Sequence, residues 1–257
     1  MTFSSDAEQR RPGEIVVVSG TGTGIGKTVA TAALASVALG RGLSVAVVKV
    51  AQTGVRVGEE GDVGTVEQLV GPGRITGVEL ARFADPVAPA TAARRTGVDG
   101  PATARSASSV ERLAAEHDLV VVEGAGGLLV RLNQAGQTIA DLAMALGVPV
   151  LVVTEASLGT LSTTSLTLEA LAARGVDCAG LLLGSWPREP DLAARCNVVD
   201  LGTLGGTGLG GTGLVGAIPA GAGELDAPTF AAVAGESLGP SLGGCWDRGR
   251  FVERWGS

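Results

Sequence analysis

Short, uninterrupted apolar runs alternate with helix-length segments along this chain, and this alternation constrains the fold more than any other feature. The runs typical of strands are 15–19 (IVVVS), 44–50, 119–123 (LVVVE), 148–156, 179–187 and 214–223. The segments with a helical pattern are 27–42, 62–71, 102–116, 138–147, 161–175 and 228–237. Strands that are apolar on both faces and are separated by helices indicate a mostly parallel sheet with helices on both faces. We therefore predict an α/β protein, and 257 residues suffice for one such domain or at most two small ones.

The predicted domain covers residues 14–238, a single unit between two segments of different character. Residues 1–13 are polar and are expected to form a flexible tail, while no role follows for residues 239–257. Inside the domain, 201–213 (LGTLGGTGLGGTG) repeats the letters GGTG, but no lysine follows them. We expect this stretch to be a flexible loop and not a second phosphate site.

Composition excludes several classes of partner. The net charge of −7 and the pI near 4.8 argue against a nucleic-acid-binding surface. No stretch approaches the ~20 apolar residues of a membrane span, and residues 1–13 lack the apolar core of a secretory signal. We expect a cytoplasmic protein without nucleic-acid or membrane partners. Its cysteines, which lack metal-ligand spacing, should be free thiols; they are Cys178, Cys196 and Cys245.

The stretch 20–28 (GTGTGIGKT) lies between the first strand and the first helix, where two nucleotide-binding motifs are found. The dinucleotide motif G-x-G-x-x-G fails, because its last glycine would fall on Ile25 or Lys27. The strict P-loop would need glycine in place of Thr21, but Gly26, Lys27 and Thr28 are otherwise intact. Backbone amides and the helix N-terminus can hold phosphates, the lysine can reach the β- and γ-phosphates, and the threonine can ligate Mg²⁺. The loop therefore predicts a P-loop NTPase-like fold that binds a nucleoside triphosphate.

Further polar residues follow the other predicted strands. Lys27 and Lys49 are the only lysines, and both stand at the carboxyl ends of strands, so two cations could stabilise a transferring phosphoryl group in one site. Glu123 ends LVVVE, where a magnesium carboxylate is expected. Asp62 opens a predicted helix, so it is either a helix N-cap or a second metal carboxylate. The single histidine, His117, is expected at a helix end and not as a base.

Together these stretches resemble the dethiobiotin synthetases of biotin biosynthesis, in their actinobacterial form. The resemblance rests on GTGTGIGKT, K-x-x-Q-T (49–53), VEGAGGLLV (122–130), GSWP (184–187) and PAGAGELDA (219–227), and it covers about residues 14–235. It implies a single-domain homodimer that uses Mg²⁺ and ATP. Diaminopelargonic acid takes up CO2 as a carbamate, ATP phosphorylates the carbamate, and the second amine attacks the mixed anhydride. The products of this penultimate step are dethiobiotin, ADP and phosphate.

The resemblance also implies roles for individual residues. Lys49 would contact the carbamate and the transferred phosphoryl group, with Lys27 and Thr23 beside it, and Thr53 would contact the substrate. The expected metal shell is Thr28, Asp62 and Glu123. The substrate carboxylate would meet the partner subunit near 157–164. The expected nucleotide contacts are Gly24, Ile25, Gly26, Lys27, Thr28, Val29, Asp62, Glu123, Gly124, Ala125, Gly126, Gly184, Ser185, Pro219, Ala220 and Gly221.

Two residues depart from the family pattern. Val50 follows the active-site lysine, where the family commonly has proline. Since proline fixes φ and lacks an N–H donor, its loss is expected to loosen the Lys49 loop. Ser185 stands where many members carry an asparagine that reads adenine. A hydroxyl pairs less selectively with a base edge than an amide, so we predict weak selectivity among nucleoside triphosphates.

Two other functions remain as alternatives. Another amide-forming P-loop ligase, such as a cobyrinic acid amidating enzyme, usually carries a glutaminase domain with a Cys–His pair. This chain has neither the length nor a suitable pair. A partitioning or positioning ATPase typically has a second lysine early in its phosphate loop, where this chain has threonine.

Overall fold

The computed structural model describes residues 12–204 and 213–257. Within these ranges seven strands form one sheet in the order β4-β2-β6-β1-β7-β8-β9, and a two-residue pair, β3 and β5, lies beside it. Every strand pair in the larger sheet is parallel. The strands are β1 Glu14–Gly20, β2 Val45–Lys49, β3 Gln52–Thr53, β4 Thr76–Glu79, β5 Arg82–Phe83, β6 Leu119–Glu123, β7 Val150–Thr154, β8 Cys178–Trp186 and β9 Leu214–Pro219.

Helices cover both faces of the sheet. In the described part of the chain they are α1 Lys27–Gly40, α2 Asp62–Val70, α3 Pro89–Thr96, α4 Thr103–Glu116, α5 Ile139–Leu146, α6 Thr160–Ala172, α7 Leu192–Leu204, α8 Ala227–Ser237 and α9 Arg248–Trp255. The apolar sides of α1, α2 and α8 share one core with one face of the sheet. Those of α4, α5, α6 and α7 share the other. This arrangement confirms the predicted α/β fold.

Successive residues of the central strands point into opposite cores, which explains why their sequences are apolar throughout. On β1, Val17 belongs to the core under α4 to α7 and Val18 to the core under α1, α2 and α8, and both are fully buried. Val120 and Val121 alternate in the same way on β6. A strand covered on both faces needs apolar side chains on both, since neither face meets water.

Several elements differ from the sequence expectations. The sequence does not predict β4, β5, α3, α7 and α9. Residues 201–204 of the expected glycine-rich loop form the last turn of α7, because the leucines at both ends of this stretch pack on the neighbouring core. The remainder of that loop through residue 212, and residues 1–11 of the expected tail, lie outside the described residues.

Other expectations of the sequence are met. His117 follows α4 directly, and its ring nitrogens contact the Leu113 carbonyl at 3.0 Å and the Thr76 hydroxyl at 2.8 Å, so it is a helix-end residue. The three cysteines are free thiols. Burial raises the pKa of the Cys178 thiol to about 11. Among the described helices, none has the length and apolar character to cross a membrane.

Candidate active site

The phosphate loop begins where β1 ends at Gly20, and its backbone is shaped by glycines and one buried anchor. Gly24 and Gly26 have φ values of 77° and 93°, a left-handed conformation that a residue with a Cβ rarely adopts. The side chain of Ile25 between them is only 4% exposed and packs into the core. Gly26 precedes α1, whose first turn has no side-chain cap. The free N–H groups of that turn therefore face the loop, an arrangement suited to an anion.

Two ammonium groups and two carboxylates meet at the ends of β1, β2 and β6. The register pairs Lys49 with Glu123, because β2 and β6 are neighbours. The Lys49 Nζ donates to Glu123 Oε1 at 2.7 Å and to the Gly124 carbonyl at 3.0 Å, and it also forms an ion pair with Asp62. The Lys27 Nζ turns back and donates to the Gly22 carbonyl at 2.6 Å. Lys49 and Glu123 are 4% and 1% exposed, so their charges are compensated by each other and not by water.

The surroundings of the two lysines shift their pKa values in opposite directions. Burial, together with the neighbouring ammonium of Lys49, lowers the pKa of Lys27 to about 8, although the carboxylates of Glu123 and Asp62 oppose both effects. Burial also disfavours the charged form of Lys49, but the charges and hydrogen bonds of Glu123 and Asp62 outweigh burial and raise its pKa above the usual value. Lys49 is therefore a fixed cation at neutral pH.

The oxygen atoms beside Lys49 fit a magnesium ion. The Thr28 hydroxyl donates to Glu123 Oε1 at 2.9 Å, which leaves the lone pairs of that hydroxyl available to a metal. Asp62 and Glu123 supply the carboxylates. No cluster of three or more His, Cys, Asp or Glu side chains is found in residues 12–204 and 213–257. Mg²⁺ commonly takes only one or two carboxylates and completes its shell with phosphate oxygens and water, so this set suffices.

A cavity of about 300 Å³ collects most of the residues that the sequence singled out. The side chains of Lys27 and Lys49 both face it. Of the expected residues, Ile25 points into the core instead, while Gly124 contributes its carbonyl to Lys49. The residues that line the cavity are Thr23, Gly24, Gly26, Lys27, Thr28, Val29, Lys49, Ala51, Gln52, Thr53, Asp62, Glu123, Ala125 and Gly126.

The segments expected at the base and ribose lie on the other side of the phosphate loop. A Cβ at Gly184 would come within 2.0 Å of the Ile25 carbonyl oxygen, so the end of β8 touches the loop backbone to backbone. The N–H of Ala220 donates to the Trp186 carbonyl at 2.7 Å, which joins the ends of β8 and β9. Ser185 is exposed and lines a second cavity of about 410 Å³, together with Gly24 and Ile25.

Asp62 is not the N-cap of α2, which was one of the two roles that the sequence left open for it. Gly61 is the N-cap of α2, no side chain caps this helix, and Asp62 is its first residue. Its side chain is therefore free to pair with Lys49. The N-cap interpretation of Asp62 is wrong, because the backbone turns one residue earlier.

Sequence reasoning missed the role of Gln52, although this residue is part of the K-x-x-Q-T motif. Gln52 is 4% exposed, and its Oε1 accepts the N–H of Asp62 at 2.8 Å. It thus orients the start of α2. The loop before Asp62 is also held by Arg82, which pairs with Glu79 at 2.7 Å and donates to the carbonyls of Arg56 and Glu59 at 2.9 Å.

The backbone at Val50 makes a hydrogen bond that proline could not make. Its N–H donates to the Glu123 carbonyl at 3.0 Å, and its side chain is fully buried. The donor that proline lacks ties this position to β6, and the expected loosening of the Lys49 loop stays a prediction.

Known proteins resemble this chain in sequence and fold. Residues 14–223 match the AAA domain family. The ATP-dependent dethiobiotin synthetase BioD of Parafrankia sp. is 54% identical over 94% of this chain and 98% of its own length. That of Streptomyces avermitilis is 53% identical over 93% and 97%. Among solved structures, the cell division ATPase MinD of Pyrococcus furiosus has a TM-score of 0.51 at 21% identity, covering 86% of this chain and 97% of that one, which is a likeness of fold.

Proposed function

This chain belongs to the dethiobiotin synthetase family, and we propose that it joins diaminopelargonic acid and CO2 at the expense of ATP to give dethiobiotin, ADP and phosphate. It is an ATP-dependent enzyme of biotin biosynthesis. The observation that carries the detailed reaction is the pair of ammonium groups, Lys27 and Lys49, that face one cavity beside a phosphate loop. These ammonium groups, with the Mg²⁺ that the neighbouring carboxylates would hold, suit a reaction whose intermediates are all anions.

The proposed reaction has three steps. One amine of the substrate attacks CO2 and loses a proton, which gives a carbamate. A carbamate oxygen attacks the γ-phosphorus of ATP, the bond to the bridging oxygen breaks, and ADP leaves. The second amine then attacks the carbonyl carbon of the mixed anhydride, loses a proton, and expels phosphate, which closes the ureido ring.

The residues of the chain act mainly by position and charge. The loop amides from Gly24 to Val29 hold the triphosphate, and Lys27 exchanges its contact with Gly22 for the β- and γ-phosphates. Lys49 neutralises the carbamate and the transferred phosphoryl group, with Thr23 beside it, and Thr53 contacts the substrate. When bound between Thr28, Asp62 and Glu123, Mg²⁺ supplies charge neutralisation at the phosphates.

The base and ribose contact Gly184, Ser185 and the turn 219–221, while Gly124, Ala125 and Gly126 contribute backbone near the phosphates. Because Ser185 offers a hydroxyl and not an amide, the enzyme should accept several nucleoside triphosphates. Competition between ATP, CTP and GTP at equal concentration measures this. A hundredfold preference for ATP would contradict the proposed weak selectivity.

The active enzyme is a homodimer in the cytoplasm, in which the partner's segment 157–164 receives the substrate carboxylate. Support comes from exposed apolar side chains in and after this segment. Leu158 is 88% exposed and Leu166 on α6 is 62% exposed, so two large apolar side chains in and after this segment are accessible to a partner subunit.

The function is tested by measuring ADP release with Mg-ATP and bicarbonate, with and without diaminopelargonic acid, while dethiobiotin is followed by mass spectrometry. We expect ADP release that depends strictly on the diamine, with one dethiobiotin formed per ADP. Omission of bicarbonate is the matched control and should abolish both products. ADP release that ignores the diamine would contradict this reaction and favour a nucleotide-dependent switch or another ligase.

A further inference from the structure

Trp186 connects three segments of the nucleotide site. It ends β8 two residues after Gly184, whose backbone touches the phosphate loop at Ile25 and Gly26. Its carbonyl accepts the N–H of Ala220 at 2.7 Å, in the turn expected at the base. A displacement of Trp186 would therefore move Ser185 and this turn together.

The side chain of Trp186 is held by residues far along the chain. Its ring lies 5.0 Å from that of Phe251, centroid to centroid, in an edge-to-face arrangement, and 6.2 Å from that of Trp255. Phe251 in turn lies 5.3 Å from Trp246. We name these four residues the aromatic cluster. Trp186 and Trp246 are 5% and 8% exposed, while Phe251 and Trp255 on α9 are partly buried and pack against the same core, so the cluster extends the core towards the surface.

The C-terminal segment that supplies three members of the cluster is itself anchored on the domain. The N–H of Trp246 donates to the Leu238 carbonyl at 2.9 Å, and Asp247 caps α9 through the Arg250 N–H at 2.8 Å. Arg248 donates to the Gly202 carbonyl at 2.8 Å, which ties α9 to the end of α7. The segment is thus anchored to the end of α8 and to α7 just before Phe251.

We propose that the segment from Trp246 to Trp255 is a positioning element for the nucleotide base, acting on Ser185 and the turn 219–221 through Trp186. This inference rests on the proposed function, since it assumes that the nucleotide occupies the phosphate loop with its base beside the ends of β8 and β9. The phosphates are held by a different part of the chain, the loop and the first turn of α1. The aromatic cluster should therefore affect the base and not the phosphates.

The test uses Phe251→Ala in the 257-residue chain, because Phe251 joins the two halves of the cluster and is not itself among the expected nucleotide contacts. Calorimetry with Mg²⁺ measures the Kd of ATP and of inorganic tripolyphosphate. We expect ATP to bind about fivefold more weakly, a loss of roughly 1 kcal/mol, with tripolyphosphate unchanged within about twofold. In turnover assays the KM for ATP should rise while kcat stays within about twofold of the wild type.

Two further variants separate positioning from loss of stability. Leu171→Ala removes a buried side chain at the carboxyl end of α6, the opposite end of the same core, and should lower the Tm without changing the Kd of ATP. Phe251→Leu keeps apolar volume and should recover most of the affinity, and it replaces the alanine variant if that one does not fold. Unchanged ATP binding in Phe251→Ala, equal weakening of ATP and tripolyphosphate, or an equal effect of Leu171→Ala would overturn the inference. Failure of the wild type to bind ATP would instead contradict the proposed function itself.

Discussion

At the scale of single residues, Lys49 is the charged group that the structure holds most tightly in the cavity. A buried charge is tolerated only when partners compensate it, and Lys49 has two carboxylates and a carbonyl within contact. The carboxylates of Asp62 and Glu123 hold the Lys49 side chain in place before any ligand binds. The lysine is thus oriented towards the cavity by the same residues that we assign to the metal.

Replacing Lys49 by alanine should abolish most of the turnover. We expect kcat to fall by about 10²–10³-fold, the usual cost of removing one charge-stabilising group, while the Kd of ATP changes only severalfold, because Lys49 meets its reaction partner late. Steady-state kinetics and calorimetry measure the two quantities. If ATP binding were lost in the same proportion, Lys49 would be a nucleotide-binding residue and the role proposed for it would be wrong.

Glu123→Gln should raise the Mg²⁺ concentration that gives half-maximal activity. The amide removes a negative charge from the proposed metal shell and weakens the pairing with Lys49. A Mg²⁺ titration at fixed ATP measures the effect, which we expect to be about tenfold or more, as for the loss of a metal ligand or its support. Glu111→Gln, which changes an exposed carboxylate on α4, is the control and should leave the titration unchanged. If Glu123→Gln and the wild type gave the same Mg²⁺ titration curve, Glu123 would not be a metal ligand.

At the scale of elements, the contact between β8 and the phosphate loop is only possible with glycine. Gly184→Ala would place a Cβ 2.0 Å from the Ile25 carbonyl oxygen, so one backbone segment must move. We expect a loss of about 1–3 kcal/mol in the free energy of unfolding, typical of overpacking, and weaker nucleotide binding. Denaturant unfolding and calorimetry measure these effects.

Gly235→Ala is the matched control for this contact. Gly235 lies inside α8 and a Cβ there would meet no atom within 4 Å, so the substitution should stabilise the protein by about 0.5–1 kcal/mol. Equal behaviour of the two alanine variants would contradict the close approach of β8 to the loop.

The elements that could be predicted from the sequence are those with a strong local signal. β1, β2, β6 and β7 are short, mostly apolar runs separated by helix-length segments, and this alternation predicts a parallel sheet. β4 has the sequence TGVE, with two of its four residues exposed, and becomes a strand only because β2 offers it a partner. α7 ends in letters that indicate a turn, yet the buried Leu201 extends the helix through them. Tertiary packing decides such segments, so the sequence does not reveal them.

The sequence predicts more of the candidate site than of the secondary structure around it. Its residues follow three strands, and in a parallel sheet the carboxyl ends share one edge, so the sequence predicts Lys27, Lys49 and Glu123 in one site whatever the order of the strands. The support from Gln52 and the backbone bond of Val50 could not be predicted. Both are contacts to single atoms of a neighbouring loop or strand, and such contacts leave no periodic signal.

At the scale of the whole molecule, the exposed leucine beside α6 provides a test of the homodimer. Leu158→Glu places a charge where we expect the partner subunit, and burial of an unpaired charge is costly. Sedimentation velocity should show a monomer for this variant and a dimer for the wild type. Val57→Glu is the control, since Val57 is 94% exposed and we assign it no contact. A wild-type monomer at micromolar concentration would contradict the dimer.

The aromatic cluster has an optical consequence. The chain contains three tryptophans and no tyrosine, and all three tryptophans belong to this cluster. Its intrinsic ultraviolet emission therefore originates from one corner of the molecule, where the ends of β8 and β9 meet α9. A change in tryptophan emission during a titration or on heating therefore reports events at that corner. The opposite end of the sheet has no tryptophan and does not contribute to the signal. The protein thus carries a local fluorescent reporter without any label.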